Sequence, residues 1–287
     1  MILQEMILQK VTELPTLPRV AMQILPLLGN NRSGAADFER AIRHDPALTA
    51  NLLRLANSAY FGYPRKISSI RSAITLMGPR RVYDLAVAAA MTKVIPPTLP
   101  GYRLHAETFW QHSVAVAIFA ERLAREVAAH QPDQTFTAGL LHDIGKLVIS
   151  AFLVERSSDL SEHLIARQQT LVDAEHNILG ADHADVGGAI VESWNLPREI
   201  SEVCRWHHDP SSAPDLADRT LVDLVHLANG LAHLLGYGAD VGELARKIDG
   251  QAADRLGIKV NRLEAIAGAT QEEIVEMGAL FQAKGGD

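Results

Sequence analysis

One cysteine, Cys204, stands in a chain of 287 residues. It excludes an intramolecular disulfide, as expected for a protein kept in a reducing cytosol. A chain of this length buries roughly three quarters of its unfolded surface, so it needs no such staple. Long apolar runs are also missing. The longest, Leu85–Met91 and Val114–Ala120, fall far short of the ~18 residues of a membrane span. The opening residues, Met-Ile-Leu-Gln-Glu-Met, lack the charged and apolar regions of a signal peptide. Positive charge is not in excess: 27 Lys and Arg face 34 Asp and Glu, for a formal net charge of -7. A dedicated nucleic-acid binder would carry a basic face, and Arg80-Arg81 has too few basic neighbours to start one. The chain is therefore expected in the cytoplasm, with neither membrane nor nucleic acid as partner. It has no alternating apolar run of useful length, so no sheet is expected. It has no Gly-rich phosphate loop either.

What is present reads as helix almost throughout. Asp45 can cap the first free N–H groups of a helix, and Pro46 suits its first position. Leu48, Leu52, Leu55 and Ala56 then form one apolar stripe. Ser69 is placed to cap a short helix that ends at Met77-Gly78, and Pro79 opens the next. Three prolines and a glycine between Pro96 and Gly101 cannot continue a helix. That break divides the chain into an N-terminal helical lobe, 1–100, and a C-terminal helical lobe, 101–287. Helices are expected near 104–129, 135–153, 158–168, 171–179, 182–195, 197–208 and 217–235, with 241–287 also helical. The fold class is all-α.

The chemistry concentrates in the second lobe. Residues 139–146 read Gly-Leu-Leu-His-Asp-Ile-Gly-Lys. His142 and Asp143, on one helical turn, can offer a nitrogen and a carboxylate to one metal ion. His112 lies on a stripe with Val116, Phe119 and Leu123. His183 lies with Val186, Ile190, Val191 and Trp194, and His207 with Ile200, Val203 and Cys204. Burying an imidazole without a partner is costly, so hydrogen bonds, water or a metal must satisfy these rings. Imidazoles with carboxylates suit iron, manganese, zinc or nickel, and two such ions can clamp a phosphoryl displacement. Lys146 shares the face of His142 and Asp143, where it can reach a phosphate or a metal-bound hydroxide. The plainer reading is a hydrogen-bonded core, with His207 and His208 favoured by the dipole at a helix C-terminus. His44, His105, His130, His163 and His176 read as surface or loop residues, while His226 and His233 stay unassigned. Asp182 is expected to cap the helix carrying His183, with ligation by Glu175 a lesser alternative. Cys204 reads as an inert apolar residue.

The chain resembles the HDOD family, non-catalytic relatives of the HD metal phosphohydrolases in bacterial signalling. The likeness spans about residues 10–235. It rests on Leu14–Pro18, on His44–Leu48, on Leu55–Tyr60, and on Ile67, Ile70, Ala73-Ile74 and Leu76–Gly78. It continues in Trp110–Ser113, Gly139–Lys146, His183–Gly187, Trp194–Pro197 and His207-His208. The resemblance implies a two-lobed helical HDOD fold with an HD-like C-terminal core. By position it implies metal ligands at His112, His142, Asp143, His183, His207 and His208, and a substrate-side lysine at Lys146. The closing aspartate of the HD pattern is replaced by Asn229, which offers a carbonyl oxygen but no charge. Where the HD-GYP cyclic-di-GMP phosphodiesterases carry a Gly-Tyr-Pro loop, this chain has Asp209–Pro214. The implied function is a non-enzymatic output module whose His/Asp cluster is either a vestigial site for one or two divalent ions or a hydrogen-bonded core. It would act through contacts with response regulators or second-messenger enzymes, with the N-terminal half as docking surface. The first hundred residues show no βα alternation, so no receiver domain is expected among them. The alternative is a metal-dependent phosphohydrolase acting on a nucleotide or cyclic dinucleotide, with Lys146 as a catalytic group. A third reading is ligand sensing without turnover.

Overall fold

The helix starts follow from local chemistry. The Asp45 Oδ1 accepts the Leu48 N–H at 2.9 Å, and Pro46 occupies the first turn. Ser69 Oγ accepts the Ser72 N–H at 3.1 Å. Gly78 adopts φ +84°, which stops one helix before Pro79 begins the next; a residue with a Cβ is disfavoured there. The computed structural model describes residues 2–13, 19–30, 32–43, 45–127, 132–214, 219–238 and 249–282. The Leu14–Pro18 motif, His44 and His130 lie outside the described residues.

The first helices in chain order are α1 (Ile2–Glu13), α2 (Arg19–Leu28), α3 (Ala35–Ile42), α4 (Pro46–Ala56), α5 (Ile70–Met77) and α6 (Pro79–Val94). There follow α7 (Ala106–Val127), α8 (Pro132–Leu141), α9 (Lys146–Leu153), α10 (Ser157–Ser161), α11 (Leu171–Leu179), α12 (His183–Ser193) and α13 (Arg198–Trp206). The last are α14 (Arg219–Leu234), α15 (Gly250–Leu256), α16 (Val260–Ala269) and α17 (Gln271–Gln282). The all-α class holds, with one correction. At the proline break, β1 (Thr98–Leu99) and β2 (Leu104–His105) pair antiparallel, Thr98 with His105 and Leu99 with Leu104. Pro100–Tyr102 turns between them. Two residues per strand are too few to leave an alternating pattern.

A second correction concerns the expected helix 135–153. It is interrupted at His142–Gly145, so His142 and Asp143 sit in a turn between α8 and α9. The stretch 134–166 nonetheless reaches membrane-span length and hydropathy, which the sequence alone did not suggest. The apolar window in it is 78% buried inside the protein, as in a core segment.

The chain forms two compact units. One comprises Met1–Leu14 and Pro96–Thr270, the other Pro15–Ile95 and Gln271–Asp287. The chain break near residue 100 thus falls at Ile95/Pro96, and both terminal helices belong to units other than a linear division suggests. In the first unit α1 packs on α9 and α12, burying Ile7 and Val11. In the second, α17 packs on α4 and the 59–61 turn; Ile274 and Met277 are fully buried, and Ser58 Oγ reaches Met277 Sδ. Composition at a break shows where a chain turns, not which core a distant amphipathic helix will cover.

Candidate metal centre

The turn between α8 and α9 lies against the start of α12 because Gly145 has no side chain. A Cβ there would stand 1.9 Å from the His183 carbonyl oxygen and 2.6 Å from the Gly187 nitrogen. This close approach brings Asp143 among four histidines from α7, the turn, α12 and the end of α13.

All four rings are oriented in the same way. His112 Nδ1–H donates to the Tyr237 carbonyl at 2.6 Å, and His142 Nδ1–H to the Gly139 carbonyl at 2.7 Å. His183 Nδ1–H donates to Glu175 Oε2 at 2.7 Å, and His207 Nδ1–H to the Cys204 carbonyl at 2.8 Å. These partners only accept, so every Nε2 is turned toward Asp143. On one side, His112 and His142 Nε2 lie 3.6 and 3.4 Å from Asp143 Oδ2. On the other, His183 and His207 Nε2 lie 3.3 and 3.5 Å from Oδ1. His208 Nε2 joins the second side, 2.8 Å from His183 Nε2. Donor atoms held about 2.0–2.1 Å from a tetrahedral ion stand roughly 3.3 Å from one another. The two sides are therefore two donor groups that share one carboxylate. One is His112, His142 and Asp143; the other is Asp143, His183, His207 and His208.

Hydrogen bonding within the protein leaves the inner atoms unsatisfied. Nε2 of His112, His142 and His207, and Oδ1 of Asp143, are buried without a hydrogen-bond partner. Such atoms cost free energy unless something else satisfies them, and a divalent cation suits all of them. Asn229 is 4% exposed on α14, and its Oδ1 also lacks a hydrogen-bond partner. Lys146 is 2% exposed, with Nζ 2.8 Å from Asp143 Oδ2 and 5.9 Å from the Tyr102 ring centroid. Its ammonium therefore shares the Oδ2 side with His112 and His142, while the Oδ1 side faces imidazoles alone. Among the described residues, a small cavity of about 10 Å³ lies between His112, Asp143, Lys146, His233 and Gly238, room for about one water molecule.

Burial and charge divide the histidines. Burial pushes His207 down to about 3. Burial, with the neighbouring His233 and His142, also holds His112 well below the usual range. Burial opposes charge on His183 too, but Glu175 and Asp143 outweigh it and raise the ring to about 9. Burial works against the Asp143 carboxylate, yet His142 and Lys146 keep it well below the ordinary carboxylate range.

The contact of Tyr102 with Glu175 and the approach of His233 to His112 escape a sequence reading, whereas the capping by Asp182 does not. Glu175 is not among the inner donor atoms. It is fully buried and accepts from both the backbone N–H (2.8 Å) and Nδ1–H of His183, and from the Tyr102 hydroxyl at 2.5 Å. It orients the ring from behind, and the hydroxyl orients Glu175 in turn. Tyr102 comes from the proline break, and nothing in its local sequence ties it to His183. His233 stacks on His112 with ring centroids 4.4 Å apart. Asp182 caps α12 through the Asp185 N–H at 2.9 Å. Cys204 is buried and its thiol is pushed up by burial, in keeping with an inert side chain.

Outer groups that orient a metal-bound histidine typically change affinity 10–100-fold. Glu175→Gln, which keeps the shape and removes the charge, is expected to weaken metal binding by about that factor. A competition titration against a chromophoric chelator measures it, and an unchanged affinity would mean that Glu175 does not orient His183 for a metal.

The HDOD domain profile matches residues 14–210. An uncharacterized protein of Treponema pallidum is 27% identical over 237 residues; the match covers 78% of this chain but 43% of that protein's length. A Shewanella amazonensis crystal structure, provisionally named a phosphohydrolase, superposes with a TM-score of 0.76 at 26% identity, covering 96% of this chain and 97% of that one. An HDOD domain protein of unknown function from Geobacter sulfurreducens gives 0.74 at 26% identity, covering 97% and 98%. With the profile matched from residue 14 to residue 210, well over half of its length, the chain belongs to the HDOD family.

Proposed function

We propose that this protein is a non-enzymatic signal-transduction module whose C-terminal unit is organised by a buried divalent-metal centre. The observation that carries this reading is a coordination-ready donor set beside which the described residues leave only a small cavity. Substrate pockets usually measure ~300–1,000 Å³, whereas the cavity next to Asp143 is about 10 Å³. A phosphodiester is too large for a cavity of that volume. Lys146 is paired to Asp143 rather than directed at a substrate. His112, His142, Asp143, His183, His207 and His208 would hold the ion or ions, and Asn229 is the further oxygen implied by the family pattern. A bound cation supplies fixed positive charge and joins α7, the 142–145 turn, α12 and α13. The chain's residues orient that set through their Nδ1–H bonds and exclude water from it. The output is contact through helix surfaces with signalling proteins such as response regulators or second-messenger enzymes. The second reading, a metal-dependent phosphohydrolase, is favoured by the completeness of the histidine set and by the structural likeness to the Shewanella protein.

Elemental analysis of untagged protein, run beside His142→Ala, tests both. The expected result is about one to two iron, manganese, zinc or nickel ions per chain, reduced in the variant. The metal-loaded protein is expected to leave nucleotides, cyclic dinucleotides and model phosphodiesters intact. Hydrolysis that tracks metal content across the two proteins would overturn the non-enzymatic reading.

A further inference from the structure

Two metal ligands hold the chain on either side of residues 239–248. The first is His112, whose Nδ1–H donates to the Tyr237 carbonyl at 2.6 Å. Tyr237 lies between two glycines with positive φ, Gly236 at +79° and Gly238 at +138°. A Cβ at Gly238 would stand 2.7 Å from the His233 ring and 2.8 Å from His112 Nδ1, so bare backbone lies on the imidazoles. The second is His207, whose carbonyl accepts the His226 Nδ1–H at 2.7 Å. His226 Nε2 in turn accepts the Asp249 N–H at 2.8 Å. A carbonyl only accepts and an amide N–H only donates, so His226 is the neutral Nδ1–H tautomer. Asp249 then starts α15: its Oδ1 accepts the Gln251 N–H at 2.9 Å. Its Oδ2 takes the Ser211 hydroxyl at 2.8 Å and Arg255 at 2.7 Å. Arg255 also pairs with Asp223 Oδ2 at 2.8 Å.

We infer that docking of α15 is coupled to metal occupancy, with His226 as the positioning residue that links the His207 backbone to Asp249. The inference rests on the metal-binding reading above. An ion on the Nε2 of His112 makes its Nδ1–H a stronger donor to Tyr237. An ion on His207 holds in place the backbone whose carbonyl faces His226. By linkage, a docked α15 strengthens metal binding by the same factor. Tyr237, His226, Asp249 and Arg255 all lie beyond residue 210, where the HDOD profile match ends. The device is therefore built from this chain's own C-terminal residues.

Hydrogen–deuterium exchange of the full chain, with and without Mn²⁺ or Zn²⁺ and with metal content measured in the same samples, tests the coupling. Metal is expected to slow exchange about tenfold or more in peptides spanning 219–238 and 249–258. His226→Phe is expected to abolish the slowing at 249–258, keep it at Tyr237, and weaken metal binding about tenfold. Asp249→Pro, which removes the N–H that His226 accepts at a φ of -70° that proline adopts, should also abolish the slowing at 249–258, and serves where the phenylalanine variant fails to fold. Bound metal with unchanged exchange at 249–258 would overturn the coupling alone. Absence of bound metal in the wild-type chain would overturn the metal reading and the coupling together.

Discussion

Asp143→Ala is expected to abolish metal binding and to lower stability by about 3–5 kcal/mol, the cost of leaving a buried ionic partner uncompensated. Both carboxylate oxygens face nitrogen atoms. Oδ2 lies 2.8 Å from Lys146 Nζ and 3.4 Å from His142 Nε2, and Oδ1 lies 3.3 Å from His183 Nε2. No other carboxylate belongs to either donor group among the described residues. Without Asp143, a Lys146 ammonium that is 2% exposed loses the ion pair at 2.8 Å. Urea unfolding measures the stability loss and elemental analysis the metal. The double variant Asp143→Ala/Lys146→Met separates the two effects. It should recover much of the stability, because the buried charge is gone, and none of the metal. A single variant that loses under about 1 kcal/mol, or retains its metal, would refute the shared-carboxylate arrangement.

Gly145→Ala is the second large effect, and its cause is purely steric. Gly145 has φ -61° and ψ -25°, which alanine adopts readily, so backbone strain does not enter. The added methyl would meet the His183 carbonyl oxygen at 1.9 Å, the Gly187 nitrogen at 2.6 Å and the His183 carbonyl carbon at 2.8 Å. All three are backbone atoms, so α12 must move as a body. Overpacking of a dense interior costs about 1–3 kcal/mol, at times more. Here the displaced segment carries His183, so metal affinity should fall with stability. Gly268→Ala is the control. Gly268 sits inside α16, and a Cβ added there would meet nothing within 4 Å. Alanine at that position should stabilise by about 0.5–1 kcal/mol. Equal stability of the two variants in thermal or urea unfolding would show that the turn does not press on α12.

Helix boundaries are the part of this fold most legible in the chain. Asp45-Pro46, Ser69 and Gly78-Pro79 act within four residues of their own helix ends, so their signals are local and the structure repeats them. The burial of His112, His183 and His207 was also legible, because a period of 3.6 places each ring on the stripe of its apolar neighbours. Long-range packing set the rest, for three physical reasons. The turn at His142–Gly145 exists because Gly145 lies against the backbone of α12, a contact across about forty residues that no local propensity carries. The outer partners of the histidines, Glu175 with Tyr102 behind His183 and Tyr237 behind His112, meet through packing between elements far apart in sequence. The terminal helices α1 and α17 join cores remote from their chain neighbours, because an apolar stripe states that a face will be buried but not against which unit. Which residues turn inward is thus written in the periodicity of the sequence; how their nitrogens and oxygens converge on Asp143 depends on where the folded backbone carries them.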